Sequence, residues 1–199
     1  IVFVNLSTEA TALANVIDGI PQATARFSLE RLTLCERKVY EVACNWKVYI
    51  DNYLEGYHIP IVHPALYREL DYSAYRVDTH RYYSSQHAPL RKKNASDPNA
   101  TAGPYTDTTA DAEALYYWVF PGWMLNVYPD NLQFNAVIPL AVDRTQVIFE
   151  WYMLAAGAMT ERPVEDQILA DAVWTVRGVA EHLEIALTAF EAITLCALV

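Results

Sequence analysis

Cysteine is scarce in this 199-residue chain, and Cys35, Cys44 and Cys196 form no C-x-x-C pair. An odd, uneven set of thiols excludes a disulfide framework and fits reduced cysteines, so a cytoplasmic setting is expected. Basic charge is also short, with 14 Lys and Arg against 24 Asp and Glu and a formal charge of −10. That balance excludes a nucleic-acid partner, which attracts proteins through clustered cations. The one dense basic run, Arg91-Lys92-Lys93, leads into Asn94-Ala95-Ser96-Asp97-Pro98-Asn99 and reads as a solvated loop. No apolar run is long enough to span a bilayer, so no membrane partner is expected. A secretory signal, an internal repeat and an initiator Met are likewise missing. The chain opens on Ile1-Val2-Phe3-Val4-Asn5-Leu6, a strand pattern from the first residue. Residues 1–8 are therefore expected to close a preceding domain, and residues 9–199 to form one sizeable domain.

What is present is a globular composition, 53% apolar. Ser7-Thr8-Glu9-Ala10 predicts a helix start running to about Ile17, and Asp18-Gly19-Ile20-Pro21 a turn. Phe27 to Leu32 and Lys38 to Val42 alternate as strands do. A helix is predicted from Trp46 to about His58, ended by Pro60. Residues 67–113 are polar, Tyr-rich and irregular, a lid or a set of short strands without clear period. Leu115–Phe120, Met124–Tyr128, Leu132–Pro139 and Thr145–Leu154 then read as an antiparallel meander. From Val164, apolar residues recur at helical spacing through Ile193. The order predicts an α+β fold, a curved antiparallel sheet wrapped on a long C-terminal helix in a helix-grip-like domain.

The chemistry concentrates in residues 45–64. Glu55, His58 and His63 fall within nine residues, with Asn52 and Asp51 just upstream. Neutral imidazoles with a carboxylate suit a mononuclear non-haem iron that keeps one side open for dioxygen and substrate. On a continuous helix Asp51, Glu55 and His58, spaced by four and three, share a face. The oxygen ligand has to come from elsewhere if Glu55 has another task.

Asn45-Trp46-Lys47, then Asp51-Asn52-Tyr53-Leu54-Glu55-Gly56-Tyr57-His58 and His63-Pro64, resembles the catalytic domain of Rieske-type ring-hydroxylating oxygenase α-subunits. Softer likenesses lie at Val2–Leu6, at Tyr116-Tyr117-Trp118-Val119-Phe120-Pro121 and at Glu165-Asp166. The resemblance implies that His58, His63 and Asp166 bind Fe(II), and that Asn52 sits near the iron without binding it. It puts Glu55 at the bridging-carboxylate position, commonly Asp, on the electron path from a neighbouring subunit's cluster. It further implies a terminal oxygenase, in the form of a trimer, that hydroxylates an organic substrate with O2. The electrons would come from a ferredoxin or reductase. Aromatic ring hydroxylation, by mono- or dioxygenation, is the leading chemistry. The alternative is a monooxygenase or demethylase of quaternary amines such as choline, betaine or carnitine, for which Tyr and Trp offer an aromatic cage.

Plainer readings stand beside these. A Glu and a His three apart are often a simple helix pair, and an acidic residue such as Asp166 or Glu165 suits any helix start. Asp166 is preferred over Glu165 by resemblance alone. His80, His87 and His182 are read as peripheral. Trp118, Phe120, Trp123, Tyr128 and Phe134 are read as core before cavity lining. A zinc hydrolase with Glu55 as base lacks the H-E-x-x-H pattern. A non-catalytic binding module for an apolar ligand is the remaining class.

Two departures from the family follow. No Cys-x-His or Cys-x-x-His pair exists, so a [2Fe–2S] centre is expected only in a Rieske domain outside this chain. The loop after the Asp166 helix is also expected to be shortened, since Trp174-Thr175-Val176-Arg177-Gly178 runs almost directly into Glu181-His182-Leu183.

Overall fold

A computed structural model describes residues 3–91, 112–129 and 131–154. The elements in order are α1 (Leu13–Val16), α2 (Ile20–Thr24), β1 (Leu32–Val42), α3 (Trp46–Leu54), α4 (Ile59–Val62), α5 (Pro64–Glu69), β2 (Arg76–Thr79), β3 (Tyr83–Pro89), β4 (Glu113–Val119), β5 (Trp123–Val127), β6 (Asn131–Ala141) and β7 (Arg144–Leu154). The strands make one seven-stranded sheet in the order β1-β7-β6-β5-β4-β3-β2. The fold is α+β, as the sequence predicts. The expected C-terminal helix, with Asp166 and His182, lies outside the described residues.

Two compact units divide the described chain. The first is built on the segment up to Lys38, on Arg68–Ala136 and on the chain from Phe149; the second is built on Val39–Tyr67 and Val137–Ile148. In the first unit β2 to β6 pair antiparallel in sequence order, and aligned residues present their side chains to the same face. One face carries Tyr83, Leu115, Tyr117, Val119, Val127 and Leu132, a core that takes in Ile20 of α2 and packs Val16, Ile17, Phe27 and Leu29 against it. The other face carries Ser84, Gln86, Tyr116, Trp118, Met124, Asn126 and Asn135, all buried except the half-buried Trp118. Trp123 and Phe134 lie on the core face with ring centroids 6.1 Å apart, whereas Phe120, in the β4–β5 turn, is exposed.

Local bonding explains where the structure departs from expectation at the N-terminus. The described part of the Val2–Leu6 strand pattern forms no strand, and Val4 and Leu6 are exposed. A strand holds only when its backbone groups pair. The helix predicted from Ser7 shrinks to α1, because Asn5 Oδ1 accepts the Ser7 N–H at 2.9 Å and Ser7 Oγ accepts the Glu9 N–H at 3.2 Å. Such side-chain bonds offer the backbone an alternative to helix. Residues 27–31, predicted as strand, form 3-10 turns around Ser28, which has φ 50°, and β1 begins at Leu32.

The irregular stretch from residue 67 resolves in part into β2 and β3. The predicted meander is present: β4, β5, β6 and β7 are neighbours in the sheet, and their turns fall at the Pro, Gly and Asp signals.

Candidate metal centre

The second unit holds the segment on which the iron reading rests. Asn45 takes an extended backbone, and its side chain accepts the Lys47 N–H at 3.0 Å, so it is the N-cap of α3. Its amide also donates to the Val142 carbonyl at 2.6 Å, which ties the helix start to the β6–β7 hairpin. Tyr49 and Ile50 are the buried face of α3. Burial pushes the Tyr49 hydroxyl pKa up, with a further rise from Cys44 beside it.

The helix ends four residues earlier than predicted. Glu55 is its C-cap in an extended conformation, with φ −109° and ψ 151°, and residues 56–58 turn before α4. Asp51, Glu55 and His58 therefore do not share a helical face. Pro60 does not stop the first helix; it sits in the first turn of a second one, where a missing N–H costs nothing.

The break brings the side chains together in another way. His58 N–H points back to Glu55 Oε2 at 3.3 Å, and His58 Nδ1 bonds Glu55 Oε1. An ionised carboxylate only accepts, so the proton of the neutral ring sits on Nδ1 and Nε2 presents its lone pair. α4 then carries the chain to His63, whose N–H donates to the Ile59 carbonyl at 3.0 Å. His63 is buried at 5% exposure, and its ring meets that of His58 edge to face at 5.0 Å between centroids.

Two imidazoles side by side, one oriented by a carboxylate on its far nitrogen, form a donor set that fits a first-row divalent metal. Among the described residues no third His, Cys, Asp or Glu completes a metal-binding group. Asp166, the expected oxygen ligand, lies outside them. Asn52 is half-buried on α3, one turn before Glu55. In the first unit, His80 stacks on Tyr83 at 4.1 Å, and His87 stands 3.8 Å from Asp78 and 3.7 Å from Glu113.

The polar sheet face of the first unit was not anticipated from sequence. Tyr83-Ser84-Ser85-Gln86-His87 carries no local signal for it, since the run has too few apolar residues to read as a strand. Tyr75 there bonds Gln86, Tyr116 and Tyr128 share a hydroxyl contact at 3.3 Å, and Asn126 donates to Gln133 at 2.5 Å. Desolvation lifts the Tyr116 hydroxyl well above the ordinary tyrosine pKa, and the Tyr128 hydroxyl adds to the rise.

Comparison with known proteins settles the class. The family described as the ring hydroxylating alpha subunit, catalytic domain, matches residues 29–182. This chain belongs to that family of Rieske non-haem iron oxygenases. It is 34% identical to the chloroplastic choline monooxygenase of Arabidopsis thaliana over 121 residues, 60% of this chain and 26% of that protein. It is 31% identical to the carnitine monooxygenase oxygenase subunit of Acinetobacter pittii over 150 residues, 71% of this chain and 37% of that protein. The matches thus span 26% and 37% of the length of these two relatives. A solved quaternary ammonium Rieske monooxygenase with L-carnitine bound superposes with a TM-score of 0.67 at 21% identity, over 90% of this chain and 47% of that one. Naphthalene 1,2-dioxygenase from Rhodococcus gives 0.59 at 13% identity, over 88% and 51%. These two superpositions establish a shared fold. No helix among the described residues is long and apolar enough to cross a membrane.

Proposed function

We propose that the chain is the catalytic part of a terminal oxygenase that monooxygenates a quaternary-ammonium compound. The observation that carries the iron assignment is the Glu55–His58–His63 arrangement, in which the carboxylate holds one imidazole while the second stands edge-on to it. His58, His63 and Asp166 would hold the iron. When bound there, Fe(II) supplies the reductive activation of dioxygen that the organic substrate requires. Glu55 fixes the ring orientation and tautomer of His58 and keeps its Nδ1 proton in place. Its second role, as the bridge to a Rieske centre in a neighbouring subunit of a trimer, rests on the family. So do the ferredoxin or reductase that delivers electrons and the placement of Asn52 beside the iron.

Substrate class is where the comparisons shift the weight. One choline monooxygenase and one carnitine monooxygenase subunit share 34% and 31% identity with this chain, whereas the likeness to the aromatic-ring dioxygenase is one of fold. Quaternary-amine monooxygenation is therefore preferred over aromatic ring hydroxylation.

Anaerobic purification followed by elemental analysis and calorimetry tests the proposal. Stoichiometric iron is expected, lost in His58→Ala, His63→Ala and Asp166→Ala, with binding of choline or L-carnitine but not of naphthalene. Zinc in place of iron would restore the hydrolase reading. Metal content unchanged in all three variants would favour a binding module.

A further inference from the structure

The two residues that lead into α3 are both held by the β6–β7 hairpin, and all of these parts belong to the second unit. Thr145 Oγ1 donates to the Cys44 carbonyl at 2.8 Å, and Asn45 Nδ2 donates to the Val142 carbonyl at 2.6 Å. Asn45 Oδ1 meanwhile accepts the Lys47 N–H at 3.0 Å as the N-cap of α3. These partners fix which way the amide points, since a carbonyl only accepts and a backbone N–H only donates.

Asp and Ser cap a helix as well as Asn does. Only the Asn amide puts an acceptor and a donor on separate atoms, so that one side chain both starts the helix and ties it to the hairpin. The tie is solvent-exposed. Water satisfies both groups when it breaks, so it adds little to folding. What it adds is position. The buried residues of α3, Tyr49 and Ile50, lie mid-helix and act as a pivot, and Asn45 holds one end. At the other end Glu55 holds His58 through the ring and the backbone N–H, and the His63 ring stands edge-on to His58. Glu55 is about 8 Å along the axis from the pivot, so a tilt of about 4° moves it by about 0.5 Å. That is about the tolerance of a metal or catalytic constellation.

We propose that Asn45 is a positioning residue for the metal centre. Its amide tie to the hairpin sets the tilt of α3, and through it the placement of Glu55 on the His58 ring. This deepens the iron reading and rests on it only for what the placed ring then binds.

Two variants separate the tie from the cap. Asn45→Asp keeps the cap and suits the helix N-terminus, but it has no N–H for the Val142 carbonyl. Asn45→Ser also keeps the cap and loses the tie, without added charge. The ring 15N shifts of His58 in metal-free protein report which nitrogen carries the proton, and chelator competition on anaerobically loaded protein measures Fe(II) affinity. The parent is expected to hold the proton on Nδ1. Both variants are expected to shift it towards Nε2 and to bind Fe(II) about tenfold more weakly, the lower end of what partners outside the ligand shell contribute. Both are expected to unfold at the same urea concentration as the parent. A parent-like tautomer in both variants, or a changed tautomer with Fe(II) affinity intact, would overturn the positioning role. A change in Asn45→Asp that is absent from Asn45→Ser would trace to the added charge and overturn it too. So would unfolding of both at much lower urea, which would make Asn45 a stability residue. No Fe(II) bound by the parent, with the tautomer altered in both variants, would keep Asn45 as the residue that places Glu55 and His58 and remove the iron reading.

Discussion

Glu55 and His58 are joined twice, through the His58 ring Nδ1 and through the His58 backbone N–H at 3.3 Å, across the break between α3 and α4. The ring is thus held by a group that does not itself have to bind metal. Carboxylates that orient a ligating imidazole in this way typically raise metal affinity 10–100-fold. Glu55→Ala is therefore expected to lower iron affinity by about that factor. Glu55→Gln, which can still accept the bond without charge, is expected to fall between. Chelator competition on anaerobically loaded protein measures both. Equal affinity in Glu55→Ala and parent would leave Glu55 no positioning role.

Much of this arrangement was legible in the sequence, and the part that was not has a physical reason. The start of α3 at Trp46 was legible, while the Asn45 cap and the edge-to-face contact of the His58 and His63 rings come from the structure. The end of α3 was misread because Pro60 is the stronger stop signal on paper, while the chain had already left the helix at Glu55, whose backbone is extended. The β4 to β7 meander was legible because apolar and aromatic alternation is bounded there by Pro, Gly and Asp. β3 was not, since Ser84, Ser85, Gln86 and His87 are polar on both faces yet buried or half-buried by what packs on them. Burial of that kind is a tertiary property without a local pattern. Residues 3–6 failed in the opposite sense: they alternate as a strand does, but alternation supplies no partner for the backbone.

Gly19 is fixed by its neighbour Tyr83. It caps α2 with φ +90°, and the Tyr83 hydroxyl donates to the adjacent Asp18 carbonyl at 2.7 Å. A Cβ added at Gly19 would stand 3.1 Å from that hydroxyl oxygen. Gly19→Ala therefore combines a left-handed backbone penalty of about 1–2 kcal/mol with a tight contact. Urea unfolding is expected to show a loss of at least about 1 kcal/mol. Gly19→Ala combined with Tyr83→Phe is expected to lose less than the sum of the two single changes. Strict additivity would mean that the contact carries no weight.

In the second unit Thr145 is fully buried and its hydroxyl donates to the Cys44 carbonyl at 2.8 Å. Thr145→Val keeps the shape, removes the donor and leaves the carbonyl in a dry place, at a cost of about 1–3 kcal/mol. A Thr145→Ser variant retains the donor and is expected to lose less. Burial also pushes the Cys44 thiol pKa up, against smaller opposing effects from Thr145 and the Tyr49 backbone. Cys44 is accordingly expected to resist a thiol reagent at neutral pH in the folded chain, while the exposed Cys35 reacts. Mass spectrometry after timed labelling reads both sites, and rapid modification of Cys44 in native protein would contradict its burial.

The buried tyrosines of β4, together with Tyr49, are expected to weaken the fold at alkaline pH. Tyr116 has its hydroxyl pKa raised well above 10, chiefly by burial, and Tyr117 is pushed up to about 12 by the same cause. Above pH 10 the unfolded chain releases tyrosine protons that the folded chain keeps, so the folded state binds more protons and stability falls as pH rises. The contribution is whole below pH 10 and is lost progressively towards the folded pKa values. The linkage limit is about 1.4 kcal/mol per pH unit for each tyrosine. Urea unfolding between pH 9 and pH 11.5 is expected to show this decline, shallower in Tyr116→Phe and shallower again in the double variant with Tyr117→Phe. Parallel pH slopes for all three proteins would mean that other groups set the alkaline limit.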